Sequence, residues 1–156
     1  MDILASISHY CRYQERCHAE VRNKLYELGC NKQEVEEHIS QMISNGWLNE
    51  ERFAKAFARG KFKMLHWGKV KIVQQLKLKQ VSDYCIKKAL QEINELDYRQ
   101  TLSKLALTKF KTYKKQEHIR QRKSKLQLYL SQKGYEPKLI IEIINETIKT
   151  IFTGMV

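Results

Sequence analysis

Residues 21–39 read VRNKLYELGCNKQEVEEHI, and the same skeleton returns at 72–90 as IVQQLKLKQVSDYCIKKAL and at 126–144 as LQLYLSQKGYEPKLIIEII. The apolar positions correspond one to one: Val21, Leu25, Cys30, Val35 and Ile39; Ile72, Leu76, Val81, Ile86 and Leu90; Leu126, Leu130, Tyr135, Ile140 and Ile144. Each set advances by four, five, five and four residues, and the sets begin 51 and 54 residues apart. A step of four keeps two side chains on one helical face, and a step of five spans a short turn, so a helix–turn–helix pair recurs three times.

The turn chemistry agrees. Leu28-Gly29-Cys30 and Lys133-Gly134-Tyr135 place glycine where a helix C-terminus takes a left-handed residue, followed by an apolar residue able to fold back. In the middle copy Gln80 stands at the glycine position, which costs strain or requires another cap. Asn31, Ser82 and Glu136-Pro137 then open the following helices, Asn31 and Ser82 as N-caps and Pro137 as a first-turn residue.

A further helix precedes each pair: Ile3 to Arg12, one from near Asn49 carrying Phe53, Ala54, Phe57 and Lys61, and one from near Asp97 carrying Leu102, Leu105, Ala106, Phe110 and Tyr113. Nine helices result, grouped as repeats over 2–46, 47–95 and 96–152. The expected fold is all-α, three tandem three-helix repeats in an elongated, curved, solenoid-like array. Units of this size bury little core alone and gain stability by stacking.

Composition supports helices over strands. The 156 residues include one Pro and six Gly, and no apolar run reaches the roughly 18 residues of a membrane span. The N-terminal MDILASISHYCRYQE has no basic segment leading into an apolar one, so a soluble, cytoplasmic, monomeric protein without membrane contact is expected. Cys11, Cys17, Cys30 and Cys85 form no CxxC pair, and with the five histidines they repeat no zinc-ligand spacing; reduced thiols are expected, with no metal or cofactor. No phosphate loop, nucleophile elbow or HExxH motif occurs, which speaks against an enzyme.

The chain carries 29 Lys and Arg against 17 Asp and Glu, a net +12. Residues 1–50 hold five basic and eight acidic groups, −3, whereas 51–156 hold 24 and nine, +15. Such a field favours polyanions or acidic protein surfaces without itself conferring sequence specificity. Arg59, Lys61, Lys63, Lys69 and Lys71 gather around Trp67-Gly68, and Lys111, Lys114, Lys115, Arg120, Arg122 and Lys123 gather at the corresponding junction of the third repeat. These residues, with Trp67, are the expected partner- or DNA-binding set. Phe53 and Phe57 fit the apolar stripe of their helix and read as core.

Two further runs point to a family. Arg16-Cys17-His18-Ala19-Glu20-Val21-Arg22-Asn23-Lys24-Leu25 is similar to the Arg-Ser-x-x-Glu-Leu-x-x-Lys-Leu run of the bacterial RecX regulators, with Cys17 in place of serine. Leu48-Asn49-Glu50-Glu51-Arg52-Phe53-Ala54, then Arg59, Trp67-Gly68, Ile72 and Leu76, resembles the opening of that family's second repeat, and Lys79-Gln80-Val81 departs from its usual Lys-Gly-Ile turn. The resemblance implies a helical-repeat protein that modulates RecA, the recombinase that polymerises on single-stranded DNA. Members of the family lie in the groove of the RecA filament, bridge protomers and restrain ATP hydrolysis, strand exchange and coprotease activity. The expected partners are therefore the RecA filament and single-stranded or duplex DNA. Two other readings fit the residues alone: an independent helix-turn-helix DNA-binding module, and an α-solenoid adaptor for an acidic partner.

Overall fold

The structure, a computed structural model, describes residues 2–154. Among them it contains nine α-helices and no strand: α1 Ile3–Tyr13, α2 His18–Glu27, α3 Lys32–Ser44, α4 Glu50–Leu65, α5 Lys69–Leu78, α6 Asp83–Leu90, α7 Glu95–Phe110, α8 Ile119–Lys133 and α9 Pro137–Phe152. The fold is all-α, with a three-helix group repeated along the chain.

The repeated skeleton is the buried skeleton. Every one of the apolar positions aligned above is buried except Leu90, which is half-buried beside the buried Ala89. The joint inside each pair is the same Schellman turn, in which the amide two residues past the helix end reaches back to the last turn. Cys30 N donates to Leu25 O at 3.1 Å and Gly29 N to Tyr26 O at 3.0 Å. Val81 N donates to Leu76 O at 3.1 Å and Gln80 N to Lys77 O at 2.9 Å. Tyr135 N donates to Leu130 O at 3.3 Å and Gly134 N to Ser131 O at 3.0 Å. The turn requires a left-handed residue, so Gln80 adopts φ 62° where Gly29 and Gly134 adopt 94° and 98°. The strain expected at Gln80 is thus present in the backbone.

Helix starts follow the N-cap rule. Asn31 Oδ1 accepts from Glu34 N at 2.9 Å while Glu34 reaches back to Asn31 N at 2.9 Å, a complete capping box. Ser82 Oγ accepts from Cys85 N at 3.2 Å, and Asn49 Oδ1 from Arg52 N at 2.9 Å. α7 begins slightly earlier than the sequence reading placed it, because Asn94 caps it by accepting from Asp97 N at 3.0 Å. Cys17 is fully buried at the start of α2, its amide donating to Glu20 Oε1 at 2.9 Å; burial pushes its thiol up to about 11. All four cysteines are free thiols.

The chain divides into two compact units, each taking part of α4 and α5: residues 1–60 with 74–92, and 61–73 with 93–156. In the first, α1, α2 and α3 pack on one another around Ile7, Val21, Leu25, Val35, Ile39 and Met42, with Trp47 partly buried against that core. In the second, α7, α8 and α9 pack together, and Phe62, Tyr98 and Tyr135 form an aromatic column with centroids 5.7 and 5.2 Å apart. The charge divides unequally between the units. The first holds 12 basic and 11 acidic residues, +1, and the second 17 and six, +11.

Candidate functional site

The second unit contains both basic clusters except for Arg59, and the structure treats the clusters differently. The first surrounds the turn between α4 and α5, where His66 adopts φ 58° and Tyr135 Oη donates to His66 O at 2.8 Å. Here the chain meets the α8–α9 turn main chain to main chain: Gly68 N donates to Lys133 O at 2.8 Å and Val70 N to Gly134 O at 2.9 Å. A Cβ on Gly68 would fall inside the van der Waals radii of Gly134 C and O and Tyr135 N, and one on Gly134 would overlap Lys71. Tyr98 Oη accepts from Lys69 N at 2.8 Å and donates to Glu136. Burial, followed by the bond to Glu136, holds its hydroxyl far above the ordinary phenol range. This is a fixed joint built around two glycines.

Most of the first cluster is engaged in that joint. Half-buried Trp67 has the ammonium groups of Lys61 and Lys71 at 5.1 and 4.7 Å from its ring centroid, within cation–π range. Lys69 pairs with Glu95 and lies 4.6 Å from the Tyr98 centroid. Arg59, in the first unit, pairs with Glu92 at 2.6 Å. Lys63 is exposed at a recess with Phe62, His66, Asp97 and Lys104. The structure therefore brings Lys61, Trp67 and Lys71 together and sets Lys69 on Tyr98, and Lys69 and Arg59 each spend charge on a carboxylate of the same chain.

The second cluster occupies the α7–α8 turn and the start of α8. Lys111, Lys114, Lys115 and Arg120 are exposed, and Arg122 and Lys123 are half-buried. His118 caps α8 by accepting Arg120 N on Nδ1 at 3.1 Å. Among the described residues none of these six cations has a carboxylate partner; the nearby Glu117 is taken by Lys125. The Arg122 guanidinium lies over Phe110 at 5.1 Å, and its Nε is shielded without a hydrogen bond. Tyr113 meets Phe110 edge-on at 6.2 Å, and burial raises its hydroxyl above the ordinary value. An ion pair satisfied at home must be broken before it serves a partner, so the free cations of 111–123 have the larger capacity to bind anions.

The structure adds the lysine contacts of Tyr129 and the role of Tyr98. Tyr129 carries the ammonium groups of Lys109 and Lys133 at 4.8 and 6.0 Å; Lys133 is four residues on along α8, a spacing that signals the contact. Tyr98 ties α7 to both turns of the joint, and no local pattern marks it. No three His, Cys, Asp or Glu side chains among the described residues converge as metal ligands, and no described helix is long and apolar enough to cross a membrane.

Comparison with known proteins bears directly on this arrangement. Residues 49–90, which contain the Arg52-Phe53-Ala54 helix and Trp67-Gly68, match the family model described as RecX, second three-helix domain. The chain is 31% identical over 129 residues to the regulatory protein RecX of Lactococcus lactis subsp. cremoris strain SK11, covering 81% of this chain and 48% of that protein.

Residues 49–90 carry the second three-helix domain of the RecX family.

A RecX of Haemophilus influenzae strain PittGG is 26% identical over 135 residues, which is 86% of this chain and 87% of that one. The chain spans about half the length of the RecX proteins of Oceanobacillus iheyensis and Lactococcus lactis, 50% and 48%. The crystal structure of RecX from Lactobacillus salivarius superposes with a TM-score of 0.84 at 23% identity, covering 93% of this chain and 94% of that one, and shares the fold. A second RecX crystal structure gives 0.79 at 25% identity, covering 93% and 72%. The RecX relatives are named regulatory proteins.

Proposed function

We propose that this chain binds the RecA–DNA filament and restrains its recombinase, ATPase and coprotease activities, acting by binding rather than by bond-making chemistry. The observation that carries the reading is electrostatic. Nearly all the net charge, +11 of +12, lies in one unit, and the cations of residues 111–123 have no carboxylate partner among the described residues. A filament of nucleic acid and protein presents anionic groups at regular intervals, and each additional contact raises the effective concentration for the next. Lys111, Lys114, Lys115, Arg120, Arg122 and Lys123 form the main binding face in this reading, with Lys61, Lys63 and Lys71 beside Trp67 as secondary contacts and Arg59 and Lys69 occupied within the chain. The protein acts as a monomer, with repeats at 2–46, 47–95 and 96–152.

The test is DNA-dependent ATP hydrolysis by the cognate RecA. Wild-type protein is expected to inhibit, and Lys114→Glu/Arg120→Glu/Lys123→Glu to need at least about tenfold more protein for the same effect. A control with three exposed lysines of the first unit reversed, Lys32→Glu/Lys77→Glu/Lys87→Glu, is expected to inhibit like wild type. Equal inhibition by the folded 114/120/123 variant removes that cluster from the site. Strong sequence preference on naked duplex, without any effect on RecA, marks an independent DNA-binding module instead.

A further inference from the structure

The α7–α8 turn does more than display charge. Between it and the end of α9 lies a recess whose apolar side is Phe110, Tyr113 and Ile151 and whose polar side is Lys111, Lys115 and Arg122. Among the described residues no acidic side chain lines it. Phe110 is 3% exposed and forms the floor, covered by the Arg122 guanidinium, whereas Tyr113 remains half-exposed and is steadied by edge contact with Phe110. Lys125, itself paired with Glu117, lies 5.8 Å from the Tyr113 centroid, and the recess sets this ring beside three further cations.

We infer that this recess binds a single nucleotide, its base stacked on Tyr113 beside Ile151 and its phosphate held by Lys111, Lys115 and Arg122. A simple phosphate tracker needs only lysines at the surface; an aromatic beside three cations that have no carboxylate partner among the described residues matches a ligand that is planar at one end and anionic at the other. An acidic peptide has the charge without the plane. The nucleotide is either free in solution or one unstacked unit of a single strand, the two sources sharing the same chemistry. The inference rests on the reading of residues 111–123 as an outward-facing binding cluster, and its test contains no RecA.

The experiment titrates the purified chain with thymidine monophosphate, ribose 5-phosphate, thymidine and a short oligothymidylate, followed by backbone amide chemical shifts and calorimetry. Thymidine monophosphate is expected to shift the amides of 110–115, 122 and 151 saturably and to bind about tenfold more tightly than ribose 5-phosphate, the difference being the stacking contribution. Tyr113→Leu, which keeps an apolar side chain, removes that advantage and leaves ribose 5-phosphate binding unchanged. Lys115→Ala, at an exposed position, weakens both phosphates. An oligothymidylate bound far more tightly than the monophosphate identifies the source as a strand; comparable affinities identify a free nucleotide. Equal affinity for thymidine monophosphate and ribose 5-phosphate, shifts scattered over all the basic residues, or no saturable binding overturns the inference. RecA inhibition persisting alongside any of these leaves the filament reading standing.

Discussion

Three glycine-to-alanine changes separate three physical causes. At Gly68 the new methyl meets main-chain atoms of Gly134 and Tyr135, which cannot swing aside as a side-chain end would. Overpacking of this kind costs about 1–3 kcal/mol. The same displacement strains the Gly68–Lys133 and Val70–Gly134 hydrogen bonds, each worth about 1 kcal/mol net. Gly68→Ala should therefore destabilise by about 3 kcal/mol, lowering the melting temperature by about 10 °C for a chain of this length. At Gly29 the added methyl meets nothing within 4 Å, but φ is +94°, so Gly29→Ala should cost about 1 kcal/mol, or about 3 °C. Gly60 has neither restraint and lies inside α4, so Gly60→Ala should stabilise by about 0.5–1 kcal/mol. Thermal unfolding followed by far-ultraviolet circular dichroism reads all three. A Gly68→Ala protein melting within about 2 °C of wild type, or no more perturbed than Gly29→Ala, refutes the account of the joint.

Gln80→Gly should raise stability by about 0.5–1 kcal/mol, since it relieves the left-handed strain at φ 62° while adding chain entropy to the unfolded state; a lower urea midpoint contradicts this. Tyr98→Phe leaves the Lys69 amide without its acceptor and should cost about 1–3 kcal/mol, checked by the same unfolding curves. The hydroxyls of Tyr98 and Tyr135 are both held above the ordinary value of 10.0, chiefly by burial. A native state that retains protons the unfolded chain has lost is destabilised as pH rises, so their contribution is complete below pH about 10 and is lost above it. Phenolate absorbance should accordingly rise in two stages, exposed tyrosines near pH 10 and these two only as the chain unfolds; a single stage in a protein still folded contradicts their burial.

Much of the fold was legible because its signals are local. The four-five-five-four spacing reports which side chains share a buried face, and Asn31, Ser82, Gly29 and Gly134 mark helix ends through their own backbone preferences. Gln80 showed where a preference is violated, and the turn kept its geometry at the cost of strain because the flanking Leu76 and Val81 are buried. The start of α7 lies two residues before Asp97 because Asn94, after only a short link from α6, supplies the cap. The binding surface was less legible. Lysines at 61, 69 and 71 look equivalent to those at 111, 114 and 115 along the chain. What distinguishes them is tertiary: Trp67 under Lys61 and Lys71, Glu95 beside Lys69, Glu92 beside the neighbouring Arg59, and no carboxylate partner for the cations of 111–123 named above among the described residues. Partnering across about thirty residues is a tertiary property that charge counting does not reveal.

The meeting of Gly68 with Gly134 is specified in main-chain atoms, so it demands the lack of a side chain at two positions and little from their neighbours. A substitution at a flanking position that leaves the backbone path alone leaves this fastening intact, whereas a methyl group at either glycine pries the two turns apart.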